Sequence, residues 1–233
     1  MNNARNEYIK RLHEVELYFD TLQLLDMGTC SIKCVDILGN EKTKDVDVEL
    51  STILKANGFL LLYNLIEATI RNSITAVLNS IKASTVTFRD LSDNLKKIWI
   101  KQETKGFNDE NNHERIMLII KTVLDNEILS FEKDCINISG NIDAQKIREI
   151  LKQFGGNEIS NGRDLKTIKD KRNHLAHGEF TFSEIGKDYT VRDLIDYKDE
   201  TKNYLSNVLD EIQDYVTIQR LPYRGTSTEL CQR

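Results

Sequence analysis

The residue types best suited to chemistry lie together near the end of one predicted helix, in the stretch Lys171-Arg172-Asn173-His174-Leu175-Ala176-His177-Gly178. At 100° per residue, a helix over residues 164–177 places Arg172 in the middle of its apolar face. Burying an arginine without a partner costs several kcal/mol, so an arginine on a core face indicates a use for its charge. His177 follows five residues later, directly before Gly178, a residue type that commonly ends helices.

A fixed cation beside a proton-transfer group is suited to cleaving RNA without a metal. That reaction needs a base for the ribose 2′-OH, an acid for the 5′-oxygen and a cation for the charge that develops on the phosphoryl oxygens. An imidazole can act as acid or base because its ordinary pKa, about 6.5, leaves both forms populated near neutrality. We therefore expect His177 to transfer protons, Arg172 to clamp two phosphate oxygens, and Asn173 to orient the histidine or a phosphate oxygen.

These residues resemble the signature of the HEPN superfamily, an arginine and a polar residue followed by three residues and a histidine. Arg172 and His177 match the ends of that motif, and Asn173 matches the polar second position. A second stretch, residues 62–71, is similar to the long second helix of the MAE-like group, a prokaryotic branch of HEPN nucleases. The resemblance covers roughly residues 50–220. It implies a metal-independent endoribonuclease that cleaves single-stranded RNA by 2′-OH transesterification, acting as a toxin or an anti-phage defence effector.

The resemblance also implies partners and supporting residues. HEPN domains pair so that two motifs face each other, and a homodimer would supply the second Arg172 and His177. RNA, a second copy, and an antitoxin or defence-system protein are the expected partners. Glu67 could orient Arg172, although Glu67 and Arg71 also have the spacing of an intrahelical ion pair. Asn64 shares the stripe of Glu67 and is taken as a further supporting residue.

Basic residues are concentrated beside the motif, where residues 163–172 carry a surplus of three positive charges. Lys166, Lys169 and Lys171 are candidates for a small RNA-binding patch, and an ordinary solvated helix face is the alternative. The net charge of −5 argues against coating of nucleic acid through bulk electrostatics, so we expect contact with a short RNA segment.

Metal and cofactor sites are not predicted. His174 and His177 could touch one metal ion from adjacent helical turns, but no third ligand stands out, so His174 is taken as a supporting or solvated residue. The sequence has no phosphate-binding GxxxxGK[ST] loop, no GxSxG elbow and no glycine-rich dinucleotide turn, which leaves NTPase, α/β-hydrolase and Rossmann functions without support.

Cellular location is predicted from the cysteines and the apolar runs. The four cysteines, Cys30, Cys34, Cys135 and Cys231, form no CxxC pair, as is typical of reduced thiols. The longest apolar run, residues 59–63, is too short to cross a membrane. We expect a cytoplasmic protein without a membrane partner.

The elements that must position the motif are mostly long helices, because the chain has one proline and 11 glycines. We predict an all-α, HEPN-like bundle in which the motif helix packs beside the helix carrying Asn64 and Glu67. A small hairpin could form from strands at 31–38 and 46–50, and the connector 180–189 could contain an extended edge. Residues 1–221 are predicted to be one domain, and 222–233 a loose tail. The predicted helices cover residues 6–25, 51–82 (capped by Ser51), 88–101, 114–131, 143–154, 164–177 and 190–220, with a polar loop at 102–112.

Three other functions remain open. The chain could be a non-catalytic HEPN-like module that binds a nucleotide or stabilises a dimer through Arg172 and His177. It could be a toxin silenced by nucleotide transfer to a tyrosine two residues after the motif histidine, but Glu179 occupies that position. It could also be a structural helical protein that carries the motif by chance.

Overall fold

The computed structural model describes residues 1–107, 112–132, 135–136, 138 and 140–218 of the 233, and 69% of the described residues are helical. The all-α fold with one small hairpin is therefore confirmed. The described elements, in chain order, are α1 (Asn2–Asp26), β1 (Ser31–Val35), β2 (Glu41–Asp45), α2 (Val48–Ala83), a 3-10 turn (Phe88–Asp90), α3 (Asp93–Glu103), α4 (Asn112–Leu124), α5 (Ala144–Phe154), α6 (Asp164–Ala176), α7 (Phe182–Gly186) and α8 (Val191–Ile218).

The central element is α2, which packs against α1, α6, α7 and α8. Its buried stripe repeats at three- and four-residue steps, as the apolar periodicity predicts: Leu62, Ile66, Ile70, Ile74, Val77 and Ile81. The helix begins earlier than predicted because the Asp47 carboxylate accepts a hydrogen bond from the Leu50 amide at 2.8 Å. The predicted cap at Ser51 and the predicted strand at 46–50 are therefore wrong.

By length and composition, α2 could also cross a bilayer, since its most apolar 18-residue window has a mean hydropathy of 1.2. Half of that window is buried inside the protein, and its neighbours are the other helices of the bundle. These contacts are those of a core helix. The absence of a membrane partner, expected from the short apolar run at 59–63, stays a prediction.

The hairpin pairs β1 with β2 in antiparallel register, from Ser31 opposite Asp45 to Val35 opposite Glu41. Asp36 sets the tight turn, because its carboxylate accepts hydrogen bonds from the amides of Leu38 and Asn40. The chain consequently returns at residue 41, five residues before the predicted second strand. Both strands are exposed along their whole length.

Several helix boundaries also differ from the predictions. The helix predicted over 114–131 ends at Leu124, and Asn126 follows with a left-handed φ of 52°. Residues 88–92 form a 3-10 turn and a cap before α3. The connector at 180–189 contains helix α7, which a Thr181–Glu184 capping box begins, so the extended edge is wrong.

The end of the chain is described as far as Ile218. The predicted capping of α8 by Thr190 and Asp193 is confirmed by reciprocal hydrogen bonds. The predicted tail at 222–233, Cys231 and part of the loop at 102–112 lie outside the described residues. The single-domain boundary at 221 stays a prediction.

Candidate active site around Arg172 and His177

Helix α6 carries the motif and packs between α2 and α8. Its face toward the core contains Leu165, Ile168 and Leu175, all buried, and Arg172 lies among them with 27% of its side chain exposed. The prediction of an arginine within an apolar helix face is confirmed. Ala176, placed on the same face by the helical wheel, is exposed at the helix end.

The Arg172 guanidinium is surrounded by partners from three parts of the chain. Its central carbon lies 4.1 Å from the centre of the Tyr63 ring, a cation–π contact. Its Nη1 donates to the Asn173 side-chain oxygen at 2.8 Å and to the Gly140 carbonyl at 3.3 Å. Its Nη2 lies 3.5 Å from a carboxylate oxygen of Glu67. These contacts offset the desolvation of the charge and fix its position.

Glu67 lies between two arginines of the bundle. One carboxylate oxygen accepts from Arg71 Nε at 2.9 Å and lies 2.8 Å from Arg71 Nη2, whereas the other faces Arg172. Only 22% of the Glu67 side chain is exposed. Glu67 therefore forms the predicted intrahelical pair with Arg71 and also contacts Arg172. One carboxylate faces two guanidinium groups, which leaves one surplus positive charge at this place.

Residues just before α5 cover the arginine. The Gly140 carbonyl accepts from both Arg172 and the Tyr63 hydroxyl, and the Ile142 amide donates to the Tyr63 oxygen at 3.2 Å. The side-chain oxygen of Asn141 accepts a hydrogen bond from Nδ2 of the Asn173 side chain at 2.8 Å. Burial raises the pKa of the Tyr63 hydroxyl, so the phenol keeps the proton that it donates.

These covering residues were missed by the sequence reasoning. Tyr63 precedes Glu67 by four residues on α2, and this spacing could have placed it on the same face of the helix. Gly140 and Asn141 lie 32 residues before their partners on α6, and no local pattern connects the two segments.

His177 closes α6 in a Schellman motif. Gly178 adopts a left-handed φ of 68°, its amide donates to the Leu175 carbonyl at 3.2 Å, and the Glu179 amide donates to the His174 carbonyl at 3.0 Å. The His177 imidazole is exposed, and it makes no hydrogen bond or ion pair with the described part of the chain.

Arg172 and His177 do not share a helix face. Five residues correspond to about 140° around the helix and about 7.5 Å along its axis. Arg172 thus faces α2, whereas His177 leaves its imidazole in solvent at the end of α6. A single chain therefore presents the cation and the proton-transfer group in different directions.

His174, which lies between Asn173 and His177, contacts the segment after the helix. Its Nδ1 hydrogen-bonds to the Glu179 carboxylate, and its ring meets Phe180 edge-on at 5.1 Å between centroids. His174 therefore supports the helix end that carries His177.

The three lysines predicted to bind RNA occupy different environments. Lys169 is 16% exposed, and its ammonium lies 2.7 Å from Asp143, the N-cap of α5. Although burial alone would raise the pKa of Asp143, the hydrogen bond from Lys169 holds it below its ordinary value. Lys171 lies 5.5 Å from the centre of the Tyr189 ring, and Lys166 is exposed. RNA binding by these lysines stays a prediction, and the charge of Lys169 is already engaged by Asp143.

Asn64, also predicted as a supporting residue, does not contact the motif residues through a hydrogen bond. Its side chain is exposed on α2, one turn before Glu67, and it forms no hydrogen bond with the described residues. Within the described residues, no group of three or more histidine, cysteine, aspartate or glutamate side chains is arranged to hold a metal ion.

Comparison with known families identifies one relationship. A model of the MAE-like HEPN family matches residues 5–221, a span that includes every residue of the site. No curated protein and no solved structure matches the chain significantly.

Proposed function

Because the chain belongs to the MAE-like HEPN family, we propose that it is a metal-independent endoribonuclease that cleaves single-stranded RNA. The observation that carries this proposal is that two motif residues differ in burial and in their contacts. Arg172 is half-buried and fixed by several partners, whereas His177 is exposed and unpaired within the described residues. A fixed cation and an accessible imidazole are the groups that transesterification of RNA requires.

In the proposed reaction, His177 takes the proton of a ribose 2′-OH. The 2′-oxygen attacks the adjacent phosphorus, and the bond from phosphorus to the 5′-oxygen breaks. The leaving oxygen takes a proton from a second imidazole, and the upstream fragment keeps a 2′,3′-cyclic phosphate. Arg172 stabilises the negative charge on the non-bridging oxygens. The Gly140 carbonyl, which occupies one donor of Arg172, must give way to a phosphate oxygen.

We further propose that two copies form the site. Each chain offers one motif histidine, and its direction differs by about 140° around the helix from that of Arg172. Pairing around a two-fold axis would let His177 of one copy approach the RNA held by Arg172 of the other, and would supply the second imidazole. Action as a toxin or defence effector in the cytoplasm, restrained by an antitoxin or defence partner, belongs to the same proposal.

Rates of RNA cleavage by purified variants test the assignment. His177→Ala should lose on the order of 10²-fold or more in rate because the proton-transfer group is gone. Arg172→Ala should lose a comparable factor because transition-state charge is no longer stabilised. His13→Ala, which removes an exposed histidine of α1, is the matched control and should keep the wild-type rate. Expression of the wild type or of His13→Ala should arrest growth, whereas expression of His177→Ala or Arg172→Ala should not. An active His177→Ala enzyme would refute the assignment.

A non-catalytic HEPN-like module that binds a nucleotide or stabilises a dimer is the second candidate function. It is favoured by the engagement of Arg172 within its own chain, which is also a way to stabilise a helix pair. This function predicts that Arg172→Ala weakens nucleotide binding or dimerisation, together with no RNA cleavage by the wild type under any condition.

A further inference from the structure

Helix α4 (Asn112–Leu124) is apolar on both sides. Ile119 and Val123 pack against the core, but none of the residues of α4 is buried. The opposite face exposes Met117, Leu118 and Leu124. Apolar side chains on a solvent-facing side of a helix can be buried by a second apolar surface.

Large apolar side chains are exposed along α4 and the segment after it. Six side chains of α4 and the segment after it are between 43% and 66% exposed: Ile116, Met117, Leu118, Ile120, Leu124 and Ile128. At 100° per residue they do not all share one face: Ile116 and Ile120 lie toward the side of Ile119 and Val123, whereas Met117 and Leu124 lie opposite it, with Leu118 beside them. The apolar part of a contact through the outer face would therefore be formed by Met117, Leu118 and Leu124.

The charges on the outer face of α4 are complementary to those of a second, antiparallel copy of the same helix. Glu114 and Lys121 lie on the same stripe as Met117 and Leu118, seven residues apart, which is about 10.5 Å along the axis and too far for a pair within the helix. Neither has an ion-pair partner among the described residues. A two-fold axis between Met117 and Leu118 would place each Glu114 opposite Lys121 of the second copy and would pack the apolar residues between the two ion pairs.

We infer that α4 pairs in antiparallel orientation with α4 of a second copy of this chain. This surface is separate from the motif: the segment after α4 joins the end of α2 through the Leu129 amide and the Val86 carbonyl, about 20 residues beyond Glu67. A chain that uses both the motif contact and the α4 contact would form assemblies larger than a dimer.

Charge reversal followed by sedimentation tests this inference. Glu114→Lys and Lys121→Glu should each weaken self-association about 10-fold, because two ion pairs are replaced by two like-charge contacts. The combined variant Glu114→Lys/Lys121→Glu should restore it, since the antiparallel pairs form again with exchanged signs. A merely structural role for these exposed residues would not produce that rescue.

Leu118→Lys gives an independent result. It should lower the mass of the assembly in solution by removing the α4 contact, while leaving the circular dichroism melt near that of the wild type. Any dimer that remains in this variant belongs to the motif contact, so failure of the α4 contact and failure of the proposed active-site dimer are distinguishable. An unchanged mass in Leu118→Lys, or no rescue by the double reversal, would overturn the inference. Binding of the wild type to anionic phospholipid vesicles as a monomer would likewise overturn it, in favour of a membrane surface.

Discussion

Replacing Glu67 by glutamine removes the carboxylate that faces both Arg71 and Arg172 but keeps the shape of the side chain. The substitution removes the charge and one of two acceptor oxygens; one oxygen lies 2.8 and 2.9 Å from two nitrogens of Arg71, and the other lies 3.5 Å from Arg172. A charge-assisted hydrogen bond contributes about 1.5–3 kcal/mol when buried, and the partial exposure of all three side chains reduces this. We expect a loss of about 1–2 kcal/mol in the free energy of unfolding.

The effect on RNA cleavage should be smaller than that of deleting the arginine. Without Glu67, Arg172 keeps its contacts with Tyr63, Asn173 and Gly140, so its charge stays near the site but is held less firmly. We expect about a 10-fold fall in kcat, compared with roughly 10²–10³-fold for loss of a group that stabilises the transition state. KM should change little or fall, because a negative charge beside the phosphate position is gone.

A double-mutant cycle separates positioning from general destabilisation. If Glu67 acts through Arg172, Glu67→Gln should cost nothing further in kcat when added to Arg172→Ala. Cleavage rates of the four proteins, measured well below their melting temperatures, give this comparison. An equal fall in kcat in both backgrounds, or an unchanged kcat with only a lower Tm, would refute a positioning role for Glu67.

Two predictions concern the frame around the site. Asp143→Asn keeps a capping side chain on α5 but removes the charge facing Lys169, and should cost about 1–2 kcal/mol at pH 7 by chemical unfolding. Because the pKa of Asp143 is lowered by folding, its contribution is present above the unfolded pKa, about 3.9, and is lost as the pH falls through the folded value. The difference between mutant and wild type should therefore shrink in acid, and a constant difference would contradict the ion pair. Gly186→Ala should lower the Tm sharply, since a Cβ there would lie 1.8 Å from the Thr52 carbonyl oxygen, whereas Gly28→Ala, with nothing within 4 Å, should leave it near that of the wild type.

The sequence predicted the parts of this molecule that depend on repeated local patterns. The apolar stripe of α2 and the Glu67–Arg71 ion pair follow from three- and four-residue spacing on one helix, whereas the approach of Glu67 to Arg172 was expected only from the HEPN resemblance. Capping was predicted for α8, where Thr190 and Asp193 have the required spacing, but Asp47 was overlooked in favour of Ser51. Several side chains with capping potential follow one another there, and propensity alone does not choose between them.

The packing of residues 140–142 over Arg172 could not be predicted because it depends on contacts between distant segments of the chain. Gly140 contributes only its backbone carbonyl, which any residue possesses. The direction of His177 away from Arg172 does follow from helical geometry, and this relation makes a two-copy site a reasonable proposal. Helix α4 was predicted as part of a longer helix over 114–131, and its apolar periodicity does not reveal which side is covered.

The chemistry of the cleaved RNA end is the most direct test of the proposed function. Purified protein should cut single-stranded RNA in EDTA and leave a 2′,3′-cyclic phosphate or its hydrolysis product on the upstream fragment, as measured by mass spectrometry. Replacing the ribose at the cleaved position by deoxyribose should abolish cutting there, since the attacking oxygen is missing. Cutting that persists at the deoxyribose position, a 3′-hydroxyl product, or activity that requires a divalent metal would contradict the account.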